Sequence, residues 1–170
     1  MKADLIVFVS LNGLWLCGQH FFTAVPLSNY GGILGPPTRT IDPGPPAPYP
    51  HRNNQIHIYD HLGIYLNEHH VDSQIQEIVF VLEAGESTFP IKTGFSQGLR
   101  VCDFILLPGM REKDFPSGVS IVFQPVLRGI YKAEGNKGIR LGIRTIGHRT
   151  RLRRRTKERY IVEVSVGFSA

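Results

Sequence analysis

Four histidines crowd one stretch, His57, His61, His69 and His70, with Asp60, Glu68 and Asp72 beside them. These are the residue types that ligate transition metals or shuttle protons. Their spacing argues against a shared ion. Along an extended strand His57 and His61 stand about 13 Å apart, and the adjacent His69 and His70 point to opposite sides. The expectation is therefore no metal, with these polar residues on the solvent face and turn of a hairpin. No nucleophile elbow, phosphate-binding glycine loop or cysteine-protease context occurs either. That leaves a non-enzyme without a cofactor as the expectation; a deep pocket lined by a titratable pair would instead favour an enzyme of unrecognised type. Cys17 and Cys102 fit no metal or redox spacing and read as reduced thiols, a disulfide between them staying open.

The other chemical feature is the run from Arg149 to Lys157, Arg-Thr-Arg-Leu-Arg-Arg-Arg-Thr-Lys. Residues 141–170 carry eight Lys/Arg against two Glu, a net of +6, whereas the remaining 140 residues hold eleven basic and twelve acidic groups, a net of −1. The overall charge of +5 is thus a local property of one segment. Arg149, Arg151, Arg153, Arg154 and Arg155 could dock on an acidic protein surface, contact nucleic-acid phosphates, or simply solvate a turn. The segment lacks the interleaved aromatics of a single-strand binder and fits no nucleic-acid module.

The elements that would hold these residues are mostly strands. Eighteen Gly and twelve Pro in 170 residues suit short elements joined by tight turns, not a helical bundle. Residues 5–10 and 14–22 read as a hairpin about Leu11-Asn12-Gly13. The same apolar run resembles a signal-peptide core, against which Asp4 and Asn12 count. Leu27 to Leu34 gives one short helix, capped by Ser28 and stopped by Gly35-Pro36. Residues 36–50, with seven prolines, read as a loop. Residues 55–66 read as one strand bent at Gly63, with Ile56 and Ile58 on one face and His57 and Tyr59 on the other, and Ile75–Leu82 as its returning partner. Residues 99–107, 119–123, 139–146 and 160–168 are further strands, 127–133 is ambiguous, and 147–159 is an Arg-rich loop between strands. The fold class is α+β: a single domain, 1–170, with an antiparallel sheet of six to eight strands and one short helix.

Pro26-Leu27-Ser28, Ile33-Leu34-Gly35-Pro36-Pro37-Thr38-Arg39, Ile58-Tyr59-Asp60-His61-Leu62-Gly63-Ile64-Tyr65 and the strand 75–82 together resemble an uncharacterised bacterial domain family. Its pattern is a helix ending in Leu-Gly-x-Pro-x-Arg followed by a Tyr-Asp-x-Leu-Gly-Ile strand. Members occur near polymorphic toxins and type VI secretion effectors, where several look like immunity proteins. More weakly, the helix-then-hairpin pattern is similar to a small lipoprotein of outer-membrane barrel assembly and to β-lactamase inhibitor protein, also protein binders. The resemblance covers residues 5–82 and implies a protein that binds and neutralises a cognate secreted toxin. Gly35, Pro36, Asp60 and Gly63 then shape the backbone, while Arg149–Arg155 with His57, Tyr59 and His61 are the candidate contacts. Nucleic-acid binding through 149–157 is the alternative. The expected compartment is the cytoplasm, or the periplasm if residues 1–25 are a signal peptide; no stretch reaches the length of a membrane span.

Overall fold

The computed structural model describes residues 4–42, 54–115, 119–149 and 155–169. Val7 and Val9, then Leu14 and Leu16, alternate into the core and give β1 (Val7–Ser10) and β2 (Gly13–Leu16). The turn between them is Leu11-Asn12, and the positive φ falls on Gly13, at +123°, not on the asparagine. The second arm does not run on to Phe22. Cys17 (φ +47°) and Gly18 (φ +86°) turn it back on itself, and β3 (Gln19–Phe21) follows. After β4 (Val25–Pro26) comes the expected helix, α1 (Ser28–Leu34). Ser28 does not cap it; Leu27 occupies that position with no side-chain bond, and buried Tyr30 and Leu34 hold the helix down. Gly35 ends it at φ +71°, its N–H bonding the Gly31 carbonyl at 2.9 Å. β5 (Arg39–Ile41) forms inside the stretch read as loop because Ile41 has an apolar cluster to join. Residues 43–50, with the other prolines, lie outside the described residues.

Residues 55–66 are not one bent strand. They form β6 (Gln55–Tyr59) and β7 (Ile64–Glu68), paired about the turn Asp60–Gly63. β8 (Gln74–Val81) then pairs with β7. In the same way 99–107 divides into β9 (Leu99–Val101) and β10 (Phe104–Leu106), turned by Cys102 at φ +53°. Residues 119–123 are helical, not extended: α2 (Val119–Val122) leaves Ile121 84% exposed while Phe123 is fully buried, so no period-two face exists there. The ambiguous stretch is the hairpin β11 (Gln124–Leu127) and β12 (Ile130–Glu134), with Gly129 at φ +82°. β13 (Arg140–Arg149) and β14 (Arg155–Gly167) complete fourteen strands among the described residues, more than expected because three reversals sit inside runs that read as continuous and because β4, β5, β11 and β12 form where no strand was read. Residues 147–149 and 155–159 are therefore strand, with Arg149 opposite Arg155, and the intervening 150–154 lies outside the described residues.

The strands make two sheets. The small one has the order β10-β9-β1-β2-β3, and its β1–β9 pair is parallel, an exception to the antiparallel expectation. The large one runs β11-β12-β13-β14-β8-β7-β6-β5, with β4 added beside β8. One apolar cluster draws on both sheets, including Val7, Val9, Leu14 and Leu16 from the small and Leu66, Phe80, Leu141 and Val164 from the large. A second, smaller cluster (Ile56, Ile58, Tyr65, Val79, Val81, Ile91) lies on the opposite face of the large sheet, beneath the segment 83–95. Asp60 ties that segment down: it accepts from the Arg39 guanidinium at 3.0 Å and from the Lys92 N–H at 2.8 Å. The Arg39 hydrogen bond holds the Asp60 carboxyl below its ordinary range. No helix among the described residues is long and apolar enough to cross a membrane.

Two outcomes follow from this backbone. A Cβ on Gly63 would stand 2.0 Å from the Phe95 nitrogen, at a φ of +74°. Gly63→Ala should lower unfolding free energy by about 2 kcal/mol or more, whereas Gly32→Ala, in open space on α1, should be neutral or gain up to about 1 kcal/mol; urea melts of both separate the cases. Cys17 and Cys102 are free and cap opposite ends of β1, their N–H groups bonding Ile6 and Val9 carbonyls respectively. Cys17 is exposed, while burial pushes the half-buried Cys102 thiol up. Iodoacetamide should therefore alkylate Cys17 several-fold faster than Cys102, followed by peptide mass spectrometry; equal rates would contradict the assignment.

Candidate functional site

Inward residues of the small sheet are aliphatic, as a two-layer core requires. Its outward residues should be polar if that face only meets water. They are not. The registers Ile105↔Arg100, Arg100↔Phe8, Phe8↔Trp15 and Trp15↔His20 place five side chains in one row across all five strands. Within it the Phe8 and Trp15 rings stand 5.5 Å apart, Trp15 and His20 stack at 3.8 Å with planes 6° from parallel, and Phe22 follows His20 at 5.1 Å. A cation closes each end: Arg100 lies 5.2 Å from the Phe8 ring centre and Lys137 lies 5.7 Å from that of Phe22. Such pairs contribute about 0.5–1 kcal/mol each when exposed.

Exposed apolar side chains extend the patch. Ile6 is 70% exposed, Ile105 57%, Leu107 49% and Phe22 46%. Beside Trp15 and Phe22, a hollow of about 580 Å³ is bounded by Asn12, His20, Asn136 and Lys137. Its rim is fixed by backbone and side-chain bonds. The Asn136 N–H donates to the Leu11 carbonyl at 2.8 Å, and the Asn136 amide donates to the Asn12 side-chain oxygen at 2.5 Å. His20 Nε2 lies 2.9 Å from the Asn12 carbonyl, which can only accept, so Nε2 carries the proton. Gly135 permits this approach, since a Cβ there would meet the Leu11 oxygen at 2.0 Å. The face can grip an apolar or planar group and set an anion beside Arg100 or Lys137. Among the described residues it holds no nucleophile–base pair.

The residues singled out from sequence scatter elsewhere. Tyr59 is fully buried and His57 nearly so, which removes both from any exposed contact surface. His57 bridges Thr40 (2.9 Å) and Glu68 (3.1 Å), and the Tyr59 hydroxyl donates to the Gly35 carbonyl, its pKa pushed to about 12 by burial. The solvent-face reading failed because β6 is interior to the sheet and both its faces are covered. His61 is exposed, on the β6–β7 turn, with Nδ1 3.3 Å from the Thr38 hydroxyl. Arg149 and Arg155 are register partners on β13 and β14, and Arg151, Arg153 and Arg154 lie outside the described residues. Gly35, Asp60 and Gly63 shape turns, with Pro36 following the helix end. Among the described residues no group of three or more His, Cys, Asp or Glu could hold a metal.

Sequence reading missed the row for a reason of parity. Trp15 and His20 are five residues apart, so in one continuous strand they face opposite ways. The Cys17-Gly18 reversal puts them side by side. The signal was present in Gly18, and in the alternation of Val7-Phe8-Val9 against Leu14-Trp15-Leu16.

Residues 6–105 match the family model described as Domain of unknown function (DUF7738). That span includes both the small sheet's aromatic row and the Asp60–Gly63 turn. No curated protein and no solved structure matches the chain.

Because Trp15 is the single tryptophan, its emission reports on this face alone. His20→Ala should alter the Trp15 intensity and raise its acrylamide quenching at least 1.5-fold, a rough magnitude for losing one stacked ring. Unchanged quenching would mean that the stack does not form in solution.

Proposed function

The chain belongs to the DUF7738 family, and from that premise we propose that it is a protein-binding domain that docks a partner on the outer face of its small sheet. The observation that carries this reading is the row Ile105–Arg100–Phe8–Trp15–His20. Trp and Arg dominate the energetics of protein interfaces when they sit centrally and become desolvated. Here Trp15 sits in mid-face, stacked on His20, with Arg100 at one end of the aromatic series and exposed Ile6, Ile105 and Leu107 extending the patch. Exposed apolar residues gathered on one face mark interaction sites.

The finer proposal is that the partner is a secreted bacterial toxin of the type VI or polymorphic kind, neutralised by direct binding in the cytoplasm. The sequence pattern at residues 26–39, 58–65 and 75–82 supports it. Under this reading Arg100 and Lys137 call for a partner surface that offers carboxylates beside an apolar knob. The basic ribbon supports a second reading, nucleic-acid binding. β13 and β14 continue as a pair beyond the last partners of β12 and β8, bringing Arg149 opposite Arg155.

The test is affinity capture of the tagged chain from its own cells, washed at moderate and high salt. One stoichiometric protein should survive high salt, and Trp15→Ala or Arg100→Glu should weaken that complex by more than about tenfold, as loss of a hot-spot side chain does. A complex indifferent to both substitutions would remove this face from the account. Nucleic acid recovered at moderate salt and lost at high salt, with no protein, would transfer the function to the ribbon.

A further inference from the structure

The outer face of the large sheet carries a second cleft, remote in topology from the aromatic row. Strand register lays Lys132, Gly142, Ser165, Val79 and Tyr65 across five strands, with Glu77 one row away, opposite Gly167. Long side chains thus stand on either side of a floor of small residues. A Cβ on Gly142 would come within 2.6 Å of the Ser165 hydroxyl, so glycine keeps that floor open. The resulting cleft measures about 180 Å³.

Its charges divide into those already satisfied and those that are not. Glu163 is fully engaged. It accepts from the Tyr65 hydroxyl at 2.9 Å, the Thr88 N–H at 2.8 Å and the Thr88 hydroxyl at 3.1 Å, and it pairs with Arg144. That carboxylate is a structural post, not a free acid or base. Glu77 and Lys132 line the same cleft. Among the described residues neither makes a salt bridge, and neither makes a side-chain hydrogen bond. Burial and the neighbouring Glu163 push the Glu77 carboxyl up to about 7, with Arg140 and Lys132 pulling the other way. An unpaired acid in a cleft is an unmet electrostatic demand.

We propose that this cleft binds a small zwitterion, a free α-amino acid with little or no side chain, its ammonium on Glu77 and its carboxylate on Lys132. Spacing supports this ligand. Glu77 and Lys132 stand on strands three spacings apart, roughly 14 Å between backbones, and both line the cleft above the low floor. An amino acid with one hydrogen bond at each end spans roughly 8 Å. Volume suits a small ligand: a cavity of about 150 Å³ holds a molecule the size of benzene. Glycine, alanine and serine match that scale. The Ser165 hydroxyl, which has no partner of its own among the described residues, can bond to the ligand's carboxylate.

The full chain, labelled with ¹⁵N, is titrated separately with glycine, L-alanine, L-serine, N-acetylglycine and glycinamide to ~10 mM, a range that captures millimolar affinity. Saturable shifts confined to the cleft are expected for the first three. N-acetylglycine lacks the ammonium and glycinamide the carboxylate, so each should bind at least tenfold more weakly. Glu77→Gln and Lys132→Met should each weaken glycine at least tenfold with the remaining spectrum intact. Lys132 is an exposed side chain, so that variant keeps the test valid if the Glu77 variant misfolds. With Glu77 half ionised near pH 7, facing Arg140, Lys132, Arg144, Glu163 and Tyr65, glycine affinity should fall roughly tenfold from pH 8 to pH 6. Absence of saturable shifts with all three amino acids would overturn the proposal, and so would equal binding of N-acetylglycine. Either result leaves the Trp15 face untouched.

Discussion

Strands β7 and β8 are buried on both sides, and most other features of the molecule follow from that double burial. Ile64, Leu66, Ile78 and Phe80 face the core shared with the small sheet; Tyr65, Val79 and Val81 face the second cluster. A strand with two apolar faces cannot remain at a surface, so the large sheet needs a lid on its outer side. The segment 83–95 provides one with only a single 3₁₀ turn of regular structure. It therefore needs polar anchors. Asp60 supplies them at one end through Arg39 and Lys92, and Glu163 at the other through Thr88. Asp60 and Glu163 each accept from several donors, as interior charges require.

Where the lid stops, the outer face becomes a cleft. Where no described segment covers the small sheet's outer face, aromatic rings are partly open. The molecule thus treats three exposed or semi-exposed sheet faces differently, and each treatment is set by what lies on alternate positions of a few strands. Glu163 shows how closely support and site are joined: it pins Thr88 from the lid and, by proximity, raises the proton affinity of Glu77.

The class of fold was legible from alternating apolar residues and from glycine and proline usage. The helix at Ser28–Leu34 was legible too, because Tyr30 and Leu34 repeat at helical spacing and Gly35-Pro36 terminates it. Reversals at Cys17, Asp60–Gly63, Cys102 and Gly129 were not. Two of these depend on a cysteine at positive φ, a conformation that only a few per cent of non-glycine residues adopt and that no propensity announces. Missing them lowered the strand count and hid that Trp15 and His20 share a face, since the parity of side chains changes at each reversal. The histidine and arginine clusters attracted notice by composition; the aromatic row and the Glu77–Lys132 pair exist only in register across strands, which a linear reading does not display.

The parallel pairing of β1 with β9 has a consequence for biogenesis. β1 is the middle strand of its sheet, yet one of its neighbours is encoded far downstream, beyond the whole β4–β8 region. While the chain emerges from the ribosome, the hairpins β1–β3 must wait with one ladder of N–H and C=O groups unpaired and their apolar underside uncovered. Late-closing, non-local pairings of this kind fold slowly and expose aggregation-prone edges. Such a nascent chain keeps an open edge until Val101 is available, and a truncation that removes β9 leaves that edge of β1 without its partner.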